Sequence, residues 1–404
     1  MDALLAALAL SAGYNAALVC IGAALLGASA GAIGTFVYLR KRSLVSDAVS
    51  HATLPGLVLA FILLAVITGN GRSLPGLMLG AAASAGLGLV AIEWMSRRTR
   101  LTEDAAIGAV LSVFFGLGIV LLTVVQSLEV GRQAGLSSYL LGSTAGMLRS
   151  EAETIAVAGL VAAIAIVVLR RPFTLVCFDP EYAATRGVGV RRTDLMLLAL
   201  LLGITVIGLK VVGLVLIVAL MIIPPVAARF WTERATTMVL IAAGLGALAG
   251  YLGAAISASA AKLPTGPIIV LVSSALFVVS LICSPARGVL AAGLQRRSFV
   301  AKVHMRQGLL ALARDERIYD PLTLKLLRRA GYVRSDGVAT EAGRAAAGRA
   351  RYEEAVWALY RRLFPEEALL QEHQGLMSVD EALPPDIVAD LRARLDPAPV
   401  GASA

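Results

Sequence analysis

The stretch Ser43-Leu-Val-Ser-Asp47-Ala-Val-Ser-His51-Ala-Thr-Leu-Pro55-Gly56 follows directly on the basic triplet Arg40-Lys41-Arg42 and leads into the apolar residues 57–68. A cationic anchor followed by about 20 mostly apolar residues is the pattern of a helix entering a lipid bilayer. Asp47 and His51 are four residues apart, so on a helix they project from one face, one turn apart. Ionisable side chains are costly in lipid and normally turn toward a cavity or a partner, which makes both residues functional candidates.

Working outward, similar runs appear at 14–39, 48–68, 76–95, 105–126, 152–169, 193–209, 211–228, 235–257 and 266–284. The 193–209 and 211–228 runs are separated only by the residues around Lys210, so they form either a hairpin or one bent element. The expectation is therefore an all-α polytopic membrane protein with about eight or nine transmembrane helices. Composition agrees: the 404 residues are 58% hydrophobic and 16% charged, with a mean hydropathy of +0.80, well above the apolar share of soluble chains. The net charge of +9 reads as loop arginines, not a nucleic-acid surface. Basic clusters at Arg40 to Arg42, Arg97 to Arg100, Arg170 to Arg192, Arg229 to Arg234 and Arg287 to Arg297 fall in alternate loops. The positive-inside rule then puts these loops in the cytoplasm and the N-terminus outside. Gly27 and Gly31 carry the four-residue spacing of small residues that lets helices pack closely.

A carboxylate and an imidazole make a reasonable half-site for a divalent transition metal, since imidazole suits zinc and carboxylate oxygen suits manganese. Two copies of the chain would supply two Asp and two His, and four ligands suffice for zinc. The same residues also fit a structural role, with Asp47 serving helix N-terminal amides and His51 making a core hydrogen bond. The residues alone leave these two readings level. A second cluster, Phe178-Asp179-Pro180-Glu181-Tyr182-Ala183-Ala184-Thr185-Arg186-Gly187, predicts a short cytoplasmic helix with Asp179 as cap, Pro180 at its first position and Gly187 closing it. It serves either as a connector or as a docking element. None of the five lysines stands in a GxxxxGK[ST] pattern, and there is no HExxH or GxSxG. ATP hydrolysis must come from another subunit, and intramembrane hydrolysis has no support. Cys20, Cys177 and Cys283 form no CxxC pair, so neither a disulfide framework nor a thiolate metal site is indicated.

The ordered segments "RKRSLVSDAVSHATLPGLVLAF", "RRTRLTEDAAIGAVLSVFFGLGIVLL", "SSYLLGSTAG", "FDPEYAATRGV" and "VVGLVLIVALMIIPPVAARF" closely resemble the integral-membrane permeases of the zinc, manganese and iron-chelate ABC importers. The resemblance runs over roughly residues 10–285. It implies a permease domain at 1–290 in the bacterial inner membrane, working as a homodimer with an ABC ATPase subunit and an extracytoplasmic metal-binding protein. It also implies that Asp47 and His51 contact a metal in transit, and that Asp179, Pro180, Glu181, Ala183 and Gly187 belong to a coupling helix seated in the ATPase. The expected cargo is manganese or zinc, with iron behind them, and no permanently bound cofactor is expected. Uptake should weaken on acidification, because protonation removes the His51 lone pair.

From about Arg296 the chain becomes charged and mainly helical, which predicts a small cytoplasmic domain over 296–395 and a disordered tail at 396–404. A helix with Leu324 and Leu327, a strand-turn-strand around Asp336-Gly337 and a helix capped at Thr340 give a winged-helix order. The segments "VATEAGRAAA" and "EEALLQEHQGLMS" resemble metal-dependent repressors of the diphtheria-toxin-repressor type. Ala350 or a neighbour stands where those repressors carry a ligand histidine. Glu354, Glu372 and His373 remain as a vestigial metal site, and a dimer-stabilising or regulatory appendage is favoured. Nucleic acid is not expected as a partner, because the Arg328-Arg329 pair stands in a domain of nearly balanced charge. Two other classes compete with the importer: a proton-coupled secondary metal transporter, which needs no ATPase, and a membrane-anchored metal-responsive regulator, which requires DNA binding by 296–404.

Overall fold

The computed structural model describes residues 2–68, 73–127, 147–260, 263–365 and 377–395. Two compact units emerge, Met1–Ala291 and Ala292–Ala404. The first contains α1 (Asp2–Leu8), α2 (Tyr14–Leu39), α3 (Ser43–Thr68), α4 (Leu74–Arg98), α5 (Glu103–Ser127) and α6 (Arg149–Phe178). It continues with α7 (Pro180–Thr185), α8 (Val190–Val212), α9 (Leu214–Trp231), α10 (Ala235–Ala258) and α11 (Thr265–Cys283). Among the described residues, nine helices are long and apolar enough to cross a bilayer. The 193–228 stretch is thus two helices, and the break between them falls at Gly213, whose φ of 81° ends α8. The short N-terminal α1 has no counterpart among the expected elements.

α2 is the axis of one bundle, packed by α6, α8, α9 and α10, with α11 against α9 and α10. A second group, α3 with α4 and α5, joins the first through α8 and α9. Lipid tails are as apolar as leucine, so hydrophobicity cannot sort one helix face from another; close backbone approach does. A side-chain carbon at Gly27 of α2 would collide with the carbonyl of Gly246 on α10, and the reverse holds for Gly246. Gly31 and Gly250 meet the carbonyls of Ala242 and Ala23 in the same way. The small-residue spacing in α2 is therefore the seam of its contact with α10. Several buried hydroxyls are satisfied within their own helices: Ser50 donates to the Ser46 carbonyl at 2.8 Å, Thr35 to Gly31 at 2.9 Å and Thr205 to Leu201 at 2.8 Å.

The second unit holds most of α12 (Val289–Ala313), then α13 (Pro321–Arg329), α14 (Glu341–Leu363), α15 (Val379–Ala382) and α16 (Pro385–Leu395). Thr340 caps α14 as expected, and Asp320 caps α13. The strand-turn-strand expected between them is corrected: among the described residues there is no strand. Only one antiparallel bridge, Val333 to Ala339, flanks the Asp336-Gly337 turn. The segment is too short for more, since Gly331 and Thr340 already belong to the adjoining helix ends. Buried Trp357 and Tyr360 of α14 form this unit's core with Val379, Val388 and Leu391. Residues 366–376 and the tail 396–404 lie outside the described residues.

Candidate functional site

α3 begins at Ser43, so Asp47 lies beyond the first turn, which contains no acidic residue. Asp47 does not serve the helix's N-terminal amides. One turn on, His51 brings Nε2 to 3.4 Å from Asp47 Oδ1. Both side chains are only part-buried, at 35% exposure for Asp47 and 20% for His51. They share an accessible edge.

The environment of His51 is apolar on its other side, where Phe115 of α5 meets the ring edge-on at 4.8 Å between centroids. Its Nδ1 is buried and has no hydrogen-bond partner among the described residues. A histidine held purely for packing would normally have that nitrogen satisfied, because an unmade buried hydrogen bond costs about 1–3 kcal/mol. Pro55 lies inside α3 and has no amide to offer the His51 carbonyl four residues back, which loosens the helical ladder at this turn. Among the described residues, no group of three or more His, Cys, Asp or Glu side chains comes together. One chain therefore brings only two such groups together here, Asp47 and His51.

At the basic end of the unit, some of the charges read from sequence only as topology signals are ion-paired. Arg40 is bound to Asp194 of α8. Arg42 bridges Glu93 of α4 at 3.1 Å and Glu103 of α5 at 2.7 Å, and Arg97 takes the other oxygen of Glu93 at 2.6 Å. The acids of this network, and Phe115 beside His51, were missed by sequence reasoning. An acid within an apolar run, as Glu93 is, was the available signal that a partner cation exists.

The predicted 179–187 element forms as α7. Asp179 Oδ1 accepts from the Tyr182 amide at 2.8 Å, Pro180 opens the helix, and Gly187, at φ 77°, closes it in the left-handed region. Ala183 is fully buried on the side that packs between α6 and α8. Glu181 is exposed, as are Phe178 and Tyr182, at 59% and 50%, with the Arg186 guanidinium 5.9 Å from the Tyr182 ring centroid. A short helix pinned on one side thus offers an aromatic and charged face on the other.

In the second unit Glu354 meets two cations, Arg306 at 2.6 Å and Arg361 at 3.1 Å. Burial opposes its charge, yet the two arginines outweigh that and hold its carboxyl below the ordinary glutamate value. Its neighbours are cations in place of further ligands, and Glu372 and His373 lie outside the described residues. So does the 137–146 motif.

Residues 14–284 match the family model described as the ABC 3 transport family. The chain is 40% identical over 298 residues to the manganese transport system membrane protein MntC of Bacillus subtilis (strain 168), covering 74% of this chain and 67% of that one. It is 38% identical over 277 residues to the zinc transport system membrane protein TroC of Treponema pallidum (strain Nichols), covering 69% of this chain and 91% of that one. Among solved structures, PsaBC from Streptococcus pneumoniae in complex with Fab is similar at a TM-score of 0.59 and 28% identity, covering 68% of this chain and 94% of that one.

Proposed function

Because the chain belongs to the ABC 3 transport family, we propose that it is the permease subunit of an inner-membrane importer for a divalent transition metal, manganese or zinc ahead of iron. The observation that carries the cargo assignment is the Asp47 and His51 pair, stacked one turn apart on α3 with the imidazole Nδ1 unpartnered. The relatives named for manganese and zinc transport point the same way.

The chain is a transport subunit and not an enzyme. With no phosphate-binding lysine motif in the sequence, ATP hydrolysis belongs to a separate ABC subunit, and delivery of the metal belongs to an extracytoplasmic binding protein. The half-site supports a homodimer: two copies facing across a two-fold axis would offer two carboxylates and two imidazoles. That set is strong enough to hold a passing ion, and small enough to release it. The metal is substrate here and is not retained.

In this reading the basic ends of the spans face the cytoplasm. α7 is then the coupling helix: Asp179, Pro180 and Gly187 shape it, Ala183 seats it on the bundle, and Glu181 with the exposed Tyr182 faces the ATPase. Closure of the ATPase pair would push α7 and, through α6 and α8, rock the permease halves so that the metal site changes the side to which it opens. The second unit is a winged-helix-like cytoplasmic appendage that stabilises or regulates the dimer. The order of α12, α13, a bridged turn and α14 supports that shape.

The test is metal accumulation in cells that lack their own uptake system and co-express the ATPase and binding protein. Wild-type chain should raise accumulation of manganese or zinc, and Asp47→Ala or His51→Ala should cut it about tenfold or more while leaving the chain in the membrane. Accumulation unchanged by both substitutions would sink the assignment.

A further inference from the structure

A groove of about 420 Å³ opens between α4 and α8. Its walls are apolar, with Leu89 and Val90 on α4 and Leu198 and Leu202 on α8, and its mouth is ringed by Trp94, Arg97, Arg98 and Arg191. The charges lie at the C-terminal end of α4 and the N-terminal end of α8, which is the basic end of the unit. From Arg98 back to Gly86, the deepest α4 residue of the lining, the helix rises roughly 18 Å. That is close to half of a bilayer's hydrocarbon thickness of about 30 Å.

The charge at the mouth does not cancel. Glu93 is shared between Arg97 and Arg42, and Arg42 also holds Glu103, so these two acids are matched by two arginines. Among the described residues Arg98 and Arg191 have no ion-pair or hydrogen-bond partner, and both are exposed. Two unpaired guanidinium groups beside an exposed indole (Trp94, 61% exposed), above a slot one leaflet deep, match a single phosphodiester with acyl chains attached. A soluble anion would gain nothing from the apolar walls.

We propose that this groove binds one anionic phospholipid, of the phosphatidylglycerol kind, with its phosphate on Arg98 and Arg191 and an acyl chain along α4 and α8. Only the choice of the cytoplasmic leaflet rests on the orientation given above, and the site does not depend on which metal is carried. Lipid bound here would brace α8 beside α7.

Retention of lipid by the purified full-length chain in neutral detergent, read by native mass spectrometry, tests this independently of transport. Phosphatidylglycerol and phosphatidylcholine of the same acyl chains are offered in turn, with and without millimolar inorganic phosphate. Wild type should keep one phosphatidylglycerol with about tenfold preference or more over phosphatidylcholine, and phosphate should not displace it. Arg98→Gln combined with Arg191→Gln should erase the preference. A side-chain carbon at Gly86 meets open space, so Gly86→Leu should fold, narrow the slot and reduce retention of both lipids. Equal retention of the two lipids by wild type overturns the proposal even if the arginine variant fails to fold. Displacement by phosphate would make the site one for a free anion. Unchanged lipid retention in the arginine variant, with loss of ATPase co-purification, would make it a protein-docking surface.

Discussion

Arg40 grips Asp194 at two points, Nε donating to Oδ1 and Nη2 to Oδ2, each at 2.9 Å. The contact ties the end of α2 to the start of α8 across 154 positions of sequence. With side-chain exposures of 19% and 5%, Asp194 has almost no recourse to water and Arg40 only a little. Removing one partner from such a pair costs about 3–5 kcal/mol at full burial, mostly because the other charge is stranded. Asp194→Asn should therefore lower the melting temperature of the purified chain sharply, with a cost near about 3 kcal/mol because Arg40 keeps some solvent. Replacing both, as Arg40→Met with Asp194→Leu, should recover much of the loss. A melting temperature equal to wild type in Asp194→Asn would show that the pair contributes nothing.

The contrast between that pair and the spans shows what a sequence can disclose. Nine apolar runs announce themselves because lipid demands about 20 apolar residues in a row, and the helix positions follow within a few residues. Boundaries drift where helices outrun the bilayer: α3 starts at Ser43, not 48, and α6 continues through Arg170, Arg171 and Pro172 to Phe178. The α7 cap was legible because Asp179, Pro180 and Gly187 act on their own neighbours. Partnerships set by three-dimensional packing were not. Nothing in the spacing pairs Arg40 with Asp194 or lays Phe115 on His51. The wing failed for the opposite reason, since turn chemistry at Asp336-Gly337 was read correctly but says nothing of how far a ladder extends.

The seam between α2 and α10 makes a position-specific prediction. Gly246 leaves no room for a side chain because the Gly27 carbonyl fills the space, whereas Gly244, two residues earlier, faces open space. Gly246→Val should force the helices apart and sharply reduce the amount of folded chain recovered from membranes. Gly244→Val should be recovered at close to the wild-type level. Size-exclusion profiles in detergent compare them directly, and equal recovery of the two variants would contradict the close approach.

Glu354 gives the second unit a pH-dependent clamp. Its folded-state carboxyl lies below the ordinary value because Arg306 and Arg361 outweigh burial. A depressed carboxyl contributes stability above its unfolded pKa, about 4.3, and that contribution fades as pH falls through the folded value. Glu354→Gln should thus weaken the unit at neutral pH and match wild type in strong acid. Buried Trp357 reports its unfolding in a full chain whose other two tryptophans, Trp94 and Trp231, are replaced by Phe. A stability difference that persists undiminished at low pH would exclude the ion pairs as its source.

His51 carries the sharpest prediction, because the two states of its ring do opposite things to a cation. Neutral, the imidazole offers a lone pair beside the Asp47 carboxylate 3.4 Å away; with a proton on both nitrogens it offers none, and its charge offsets that of the carboxylate. Metal uptake into proteoliposomes containing chain, ATPase and binding protein should then fall as the pH is lowered, once corrected for the ATPase's own pH profile. His51→Asp keeps an oxygen ligand with no imidazole to protonate, so the residual uptake should favour manganese over zinc and be less sensitive to acid. His51→Gln should be nearly inactive throughout. A His51→Gln chain with the wild-type rate and pH profile would remove the imidazole from the pathway, and with it the reason for its unpartnered Nδ1.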